Sequence, residues 1–72
     1  MRFEELKVGD KFIFDYYIEY DSESGEHFGR ILFMKVRPVK DRYYSYNAIQ
    51  YTGLHAGSFR EIGRYDEVIL VE

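Results

Sequence analysis

The ten residues KFIFDYYIEY, positions 11–20, decide the fold. Phe12, Phe14, Tyr16, Ile18 and Tyr20 occupy every second position, and Lys11, Ile13, Asp15, Tyr17 and Glu19 lie between them. Side chains of an extended strand alternate between two faces, so a period of two rather than 3.6 predicts a strand with one buried face. The buried set is aromatic, which fits a small domain. In 72 residues there are eight Tyr and six Phe, 19% of the chain. One aromatic side chain removes roughly 150–250 Å² from water, so a few positions build a core. A chain this short has room for one core, and residues 1–72 are read as a single domain.

Outward from this strand, the same reasoning divides the rest. DSESGEHFG, 21–29, is rich in turn formers and acids and is expected to be an exposed hairpin loop. RILFMKVRPV, 30–39, reads as a second strand with Leu32, Met34 and Val36 on one face and Ile31 and Phe33 on the other. Pro38 has no N–H to give a ladder, so it marks a strand end or an edge position. A short polar turn at 40–42 leads into YYSYNAIQY, 43–51, the third strand. TGLHAG is a loop, SFREI (58–62) a fourth strand, GRYDE a turn and EVILVE (67–72) the fifth. Five short strands separated by turn signals predict an all-β barrel. The one helical candidate is the turn FEEL, where Phe3 and Leu6 plug an end of the barrel with Val8 beneath and Gly9-Asp10 turns the chain into the first strand.

The signature F-x-x-L-x-x-G-D-x-F (Phe3, Leu6, Gly9, Asp10, Phe12), followed by Asn47-Ala48-Ile49 with Gly53 and by Asp66-Glu67-Val68, resembles small β-barrel proteins of bacteria and their phages. The resemblance covers about half the chain in separated pieces. It implies an SH3-like, five-stranded small barrel with an N-terminal capping turn, and it brings no catalytic motif. The loop 21–29 and the stretch 54–65 depart from the pattern.

Charge is uneven. Residues 1–29 carry eight acids against three cations, a balance of −5. Residues 30–42 carry Arg30, Lys35, Arg37, Lys40 and Arg42 against Asp41, a balance of +4, and the remainder comes to −2. Strands of opposite sign that satisfy each other across a sheet are the simplest account of this. Without Cys there is no disulfide, thiol nucleophile or Cys-ligated zinc. Neither an apolar leader nor a membrane-length apolar run is present, so a cytoplasmic protein is expected.

Few residues point to reaction chemistry. His55, Ser58 and Glu61 are close in sequence, but three polar residues in a loop do not make a triad without geometry. Asp21, Glu23, Glu26 and His27 crowd the first loop, yet lack the spacing of a calcium loop or of zinc ligands. We therefore expect no enzyme, no metal and no cofactor. The stretch VRPVKDRYYSY, 36–46, is different. With Lys35 before it, it sets Lys35, Arg37, Lys40 and Arg42 beside Tyr43, Tyr44 and Tyr46. Tyr and Arg are enriched at protein interfaces, and cations with exposed rings also hold single-stranded nucleic acid. The expectation is a non-catalytic module that docks on another protein through this hairpin, with single-stranded nucleic-acid binding by residues 30–46 as the alternative. An acidic pI near 5.3 weighs against the alternative. Ile13, Tyr17, Ile31 and Phe33 are read as a second apolar patch, either open to another copy of the chain or covered by the loop 54–65 folding back.

Overall fold

The structure is a computed structural model that describes the main chain of residues 1–20 and 27–72 and the side chains of 1–14 and 30–72. A 3₁₀ turn at Phe3–Glu5 precedes β1 (Lys11–Tyr20), β2 (His27–Lys40), β3 (Ser45–Gln50), β4 (Phe59–Arg60) and β5 (Ile69–Val71). All five strands join one antiparallel sheet in the order β4-β3-β2-β1-β5. The all-β expectation holds, and β1 has the bounds read from its alternation. The sheet is not closed. Its edges are β4 and β5, strands of two and three residues, and they are not paired with each other.

The core lies on one face. Phe12 pairs with Phe33 on β2 and with Leu70 on β5, and Phe33 pairs with Gln50 on β3, so four strands send a side chain inward at one level. Phe12 is wholly buried and contacts Phe3 (ring centroids 5.4 Å), Phe14 (5.8 Å) and Phe33 (5.5 Å). Edge-to-face and offset pairs of this kind each add about 0.5–1.5 kcal/mol beyond their buried area. Ile31, Ala48, Leu6 and Val68 complete the cluster.

Register corrects the reading of β2. Because Phe33 stands opposite Phe12, Ile31 and Phe33 are core residues, each 1% exposed, and Leu32 and Met34 face outward. The expected outer patch of Ile13, Tyr17, Ile31 and Phe33 therefore loses two members, and the Tyr17 side chain lies outside the described residues. In their place Ile13, Leu32 and Ile69 stand side by side across β2, β1 and β5. Tyr51 reaches this outer face. Its hydroxyl donates to Met34 Sδ (3.7 Å), and the Lys11 ammonium sits 5.9 Å from its ring centre.

Other boundaries also move. His27 and Phe28 belong to β2, paired with Tyr20 and Glu19, because β1 runs far enough to offer them a ladder. Of the expected 21–29 loop, residues 21–26 lie outside the described residues. Pro38 neither ends β2 nor sits in regular pairing. It lies in a register shift between Lys35 and Val39, where a missing N–H costs no ladder bond. Tyr43 and Tyr44 precede β3 in a turn closed by Asp41 N–H donating to Tyr44 O (2.7 Å).

The N-terminal plug forms as read, except that Val8 points to solvent instead of sitting beneath it. Arg2 N–H donates to Glu5 Oε1 (2.9 Å), and Leu6 N–H to Phe3 O (3.1 Å). The following turn is held by Lys7 N–H on Asp10 Oδ2 (2.8 Å) and by Asp10 N–H on Lys7 O (2.9 Å). Gly9 has φ of +97° and gives its N–H to Lys35 O (2.8 Å), which ties the turn to β2. No heavy atom lies within 4 Å of where a Gly9 Cβ would stand. Gly9→Ala should therefore cost about 1 kcal/mol through backbone strain alone, and Gly9→Asn less, as read by urea unfolding. Phe12→Ala should cost about 3–5 kcal/mol and leave little folded protein.

Candidate functional site

The basic residues separate into two groups. Lys35 stands opposite Ala48, and its ammonium sits over the Phe3 ring, 4.6 Å from the centroid. Its ammonium donates to Leu6 O (2.7 Å) and Phe3 O (3.1 Å). Leu6 O lies at the end of the turn, where a helical turn leaves its carbonyls open, and Phe3 O adds the ammonium to the Leu6 N–H it already accepts. Two of its three N–H groups are thus used inside the fold. Lys35 fastens the N-terminal plug to β2.

Arg37, Lys40 and Arg42 are exposed. Among the described residues, ion pairs join the Met1 ammonium to Glu67 and Arg2 to Glu4 and Glu5. No carboxylate among them pairs with Arg37, Lys40 or Arg42. Cross-strand neutralisation, the simplest account of the charge pattern, does not use up this group. The turn also fixes its one acid, since Asp41 Oδ1 accepts from Arg42 N–H.

The tyrosines take different positions too. Tyr43 is 84% exposed, with the Arg42 guanidinium 5.7 Å from its ring centre. Tyr44 and Tyr46 stack at 6.0 Å and 9°, and Tyr46 stacks in turn on Phe59 at 4.2 Å and 30°. The result is a ladder of three rings across the β3–β4 edge. Tyr44 and Phe59 remain more than half exposed. Phe59 lies opposite Ile49 in the β3–β4 pairing, so an outward side chain on the edge strand extends what the hairpin begins. A groove of about 410 Å³ runs along the ladder, lined by Tyr44, Ser45, Tyr46 and Phe59.

A second groove of about 300 Å³ shares Ser45 and Tyr46 with the first and continues toward Lys40 and Arg64. Its floor depends on Asn47. The Asn47 amide donates to Ile62 O (2.8 Å) and accepts from Ile62 N–H (2.8 Å), so a side chain reproduces a ladder pair just past β4. This explains the Asn of the Asn47-Ala48-Ile49 signature, and buried Ala48 beside it supplies core. Arg64 is steered by Tyr65, its guanidinium 4.6 Å from the ring centre, and it too has no ion pair among the described residues. Glu61 is the one carboxylate lining either groove.

The structure thus brings Lys40, Tyr44 and Tyr46 to one pair of grooves, with Arg42 and Tyr43 at the turn beside them. Lys35 is set into the fold, and Arg37 is not part of either lining. Phe59 and Arg64 were not anticipated from sequence. His55 and Ser58 are linked by a main-chain bond, Ser58 N–H to His55 O (3.0 Å), as part of a loop. The Asp21, Glu23, Glu26 and His27 side chains lie outside the described residues.

No protein-family model, characterised protein or solved structure matches the chain.

Stability should separate the two groups of cations. Lys35→Met removes the ammonium donor from Leu6 O and one of the two donors from Phe3 O, and should cost about 1–3 kcal/mol in urea unfolding. Arg37→Met, Lys40→Met and Arg42→Met should each stay within about 0.5 kcal/mol of wild type. Asn47→Asp replaces a donor with a carboxylate oxygen facing Ile62 O, and should cost more than Asn47→Ala.

Proposed function

We propose that this protein is a non-catalytic binding module that docks on another protein through the paired grooves at the β3–β4 edge. The observation that carries the reading is a stacked, half-exposed aromatic ladder bordered by Lys40, Arg42 and Arg64, cations without a carboxylate partner among the described residues. Exposed aromatic and Arg side chains around a concavity are what interface hot spots are made of. The chemistry of the linings also favours binding over catalysis. The first groove holds rings and one serine, and the second holds one acid, two cations and one amide beside Pro38, Val39 and Ile62.

The fold supports the wider resemblance. A last strand that returns to pair with the first, and a 14-residue β2 bent by a register shift, are the devices by which a small sheet curls toward a barrel. We accordingly read the domain as SH3-like, and the protein as a cytoplasmic accessory factor of a bacterium or phage. Among the described residues no helix is long and apolar enough to cross a membrane.

One observation favours a second reading, single-stranded nucleic acid. Tyr43 offers an open ring with Arg42 beside it. Ring geometry weighs against it in the grooves. At the centre of the ladder Tyr46 is stacked on both Tyr44 and Phe59, whereas a base needs an open face on which to stack.

Site-specific photocrosslinking in the native cell tests the proposal. A benzophenone side chain at position 44 or 59 should give a protein adduct, and one at exposed position 71, on the opposite edge strand β5, should not. Nucleic-acid adducts at 44 would establish the second reading. Adducts spread equally over all three positions would remove the grooves from the function.

A further inference from the structure

The paired grooves differ in chemistry along their length. At one end Tyr44, Tyr46 and Phe59 present apolar walls with no charge. At the other, Lys40, Glu61 and Arg64 line the second groove, and Arg42 stands on the adjoining turn. Ser45 and Tyr46 belong to both, so a single ligand can cross from one to the other. Resting on the docking role proposed above, we infer that the partner element is an acidic, extended peptide segment. One large apolar side chain seats against the aromatic ladder, and its carboxylates lie on Lys40, Arg64 and Arg42.

Three observations select this occupant. First, the charge is complementary and local. The chain carries −3 overall, yet the cations at this edge keep their charge unneutralised among the described residues. A ligand with carboxylates is attracted here and repelled by the acidic remainder, which fixes where it lands. Second, the trough lined by Tyr44, Ser45, Tyr46 and Phe59 has room for an inserted apolar side chain, and its central ring, Tyr46, is already stacked on both Tyr44 and Phe59. Third, the grooves are narrow and continuous and end at a sheet edge. β4 pairs with β3 alone among the described residues, so an extended chain can lie beside Phe59 and Arg60 without displacing a strand.

The division of labour has a measurable form. The apolar anchor is desolvated on binding and carries most of the affinity, while carboxylates on exposed cations act at longer range and fade with salt. The wild-type protein would be titrated, with amide NMR as readout, with a short peptide of Glu and Asp around one central Phe. Three controls accompany it: the same peptide with Ala for Phe, the same with Gln and Asn for its acids, and oligothymidylate.

Saturable shifts confined to residues 40–47 and 59–64 are expected. Affinity should fall at least about tenfold with either peptide control, and at least about tenfold with the double variant Lys40→Glu, Arg64→Glu. Tyr44→Ala should give a similar loss. Positions 40, 44 and 64 are exposed, so these variants are expected to keep the wild-type spectrum elsewhere.

Binding indifferent to the central Phe would mean a general polyanion surface and would overturn the inference. So would tighter binding of oligothymidylate at the same residues, or concentration-dependent shifts there without peptide, the sign of a second copy in the groove. Absence of peptide binding at NMR concentrations would overturn it as well. If position 44 still crosslinks to a protein in that case, the docking role stands and only the acidic-peptide chemistry falls.

Discussion

The contact of Phe12 with Phe3, Phe14 and Phe33 is what the rest of this structure depends on. One ring at the level where β1, β2 and β5 pair ties together the sheet and the N-terminal turn that covers it. A domain of this size buries a smaller share of its surface than a larger one does, so its stability rests on few side chains. Concentrating those on one face leaves the other face, and the β3–β4 edge, free to be shaped by something other than core packing. The plug is the corollary. A single sheet with one apolar face needs a second layer, and residues 3–6 supply it with two buried side chains, Phe3 and Leu6.

Lys35 shows how the plug is kept. Its ammonium sits over the Phe3 ring and reaches the carbonyls at the two ends of the turn, Phe3 O and Leu6 O. Seen as composition, it belonged with Arg37, Lys40 and Arg42 in one basic patch. Seen in register, it stands opposite Ala48, where a small buried neighbour leaves room for a long side chain to turn inward. Sequence proximity cannot separate these cations, because the register shift between Lys35 and Val39 interrupts the alternation that would assign them to faces. Whether a cation is structural or available depends on which carbonyls it meets, and those come from a segment some thirty positions earlier.

Much of the architecture was legible because it is local. Strict alternation gives β1 its bounds, and Gly9-Asp10 supplies a positive φ and a side-chain acceptor where the chain must turn. The facing of β2 was not legible. Both alternating sets, Leu32-Met34-Val36 and Ile31-Phe33, are apolar, and only pairing with Phe12 decides between them. Barrel closure is likewise a property of edges, and two strands of two and three residues leave the edges apart. At the candidate site, Tyr44 and Tyr46 could be read from the hairpin, whereas Phe59 and Arg64 come from β4 and the turn after it. A signal for Phe59 does exist. Ile62 packs against the core, and alternation along SFREI then sends Phe59 to the opposite face.

The edge position of the site follows from the same economy. A ring ladder on a central strand would be covered by its neighbours, but β4 is two residues long and has one partner, so Phe59 stays half open beside Tyr46. The Asn47 amide then holds Ile62 where a longer β4 would have placed it. A side chain replaces a stretch of strand, and the chain is released at Gly63 to carry Arg64 toward the groove instead of along the sheet. Shortening β4 removes part of an aggregation-prone edge. It also creates the concavity between the hairpin and the 61–64 turn. The same truncation that keeps the sheet from closing therefore makes a place where rings, cations and an open backbone edge meet.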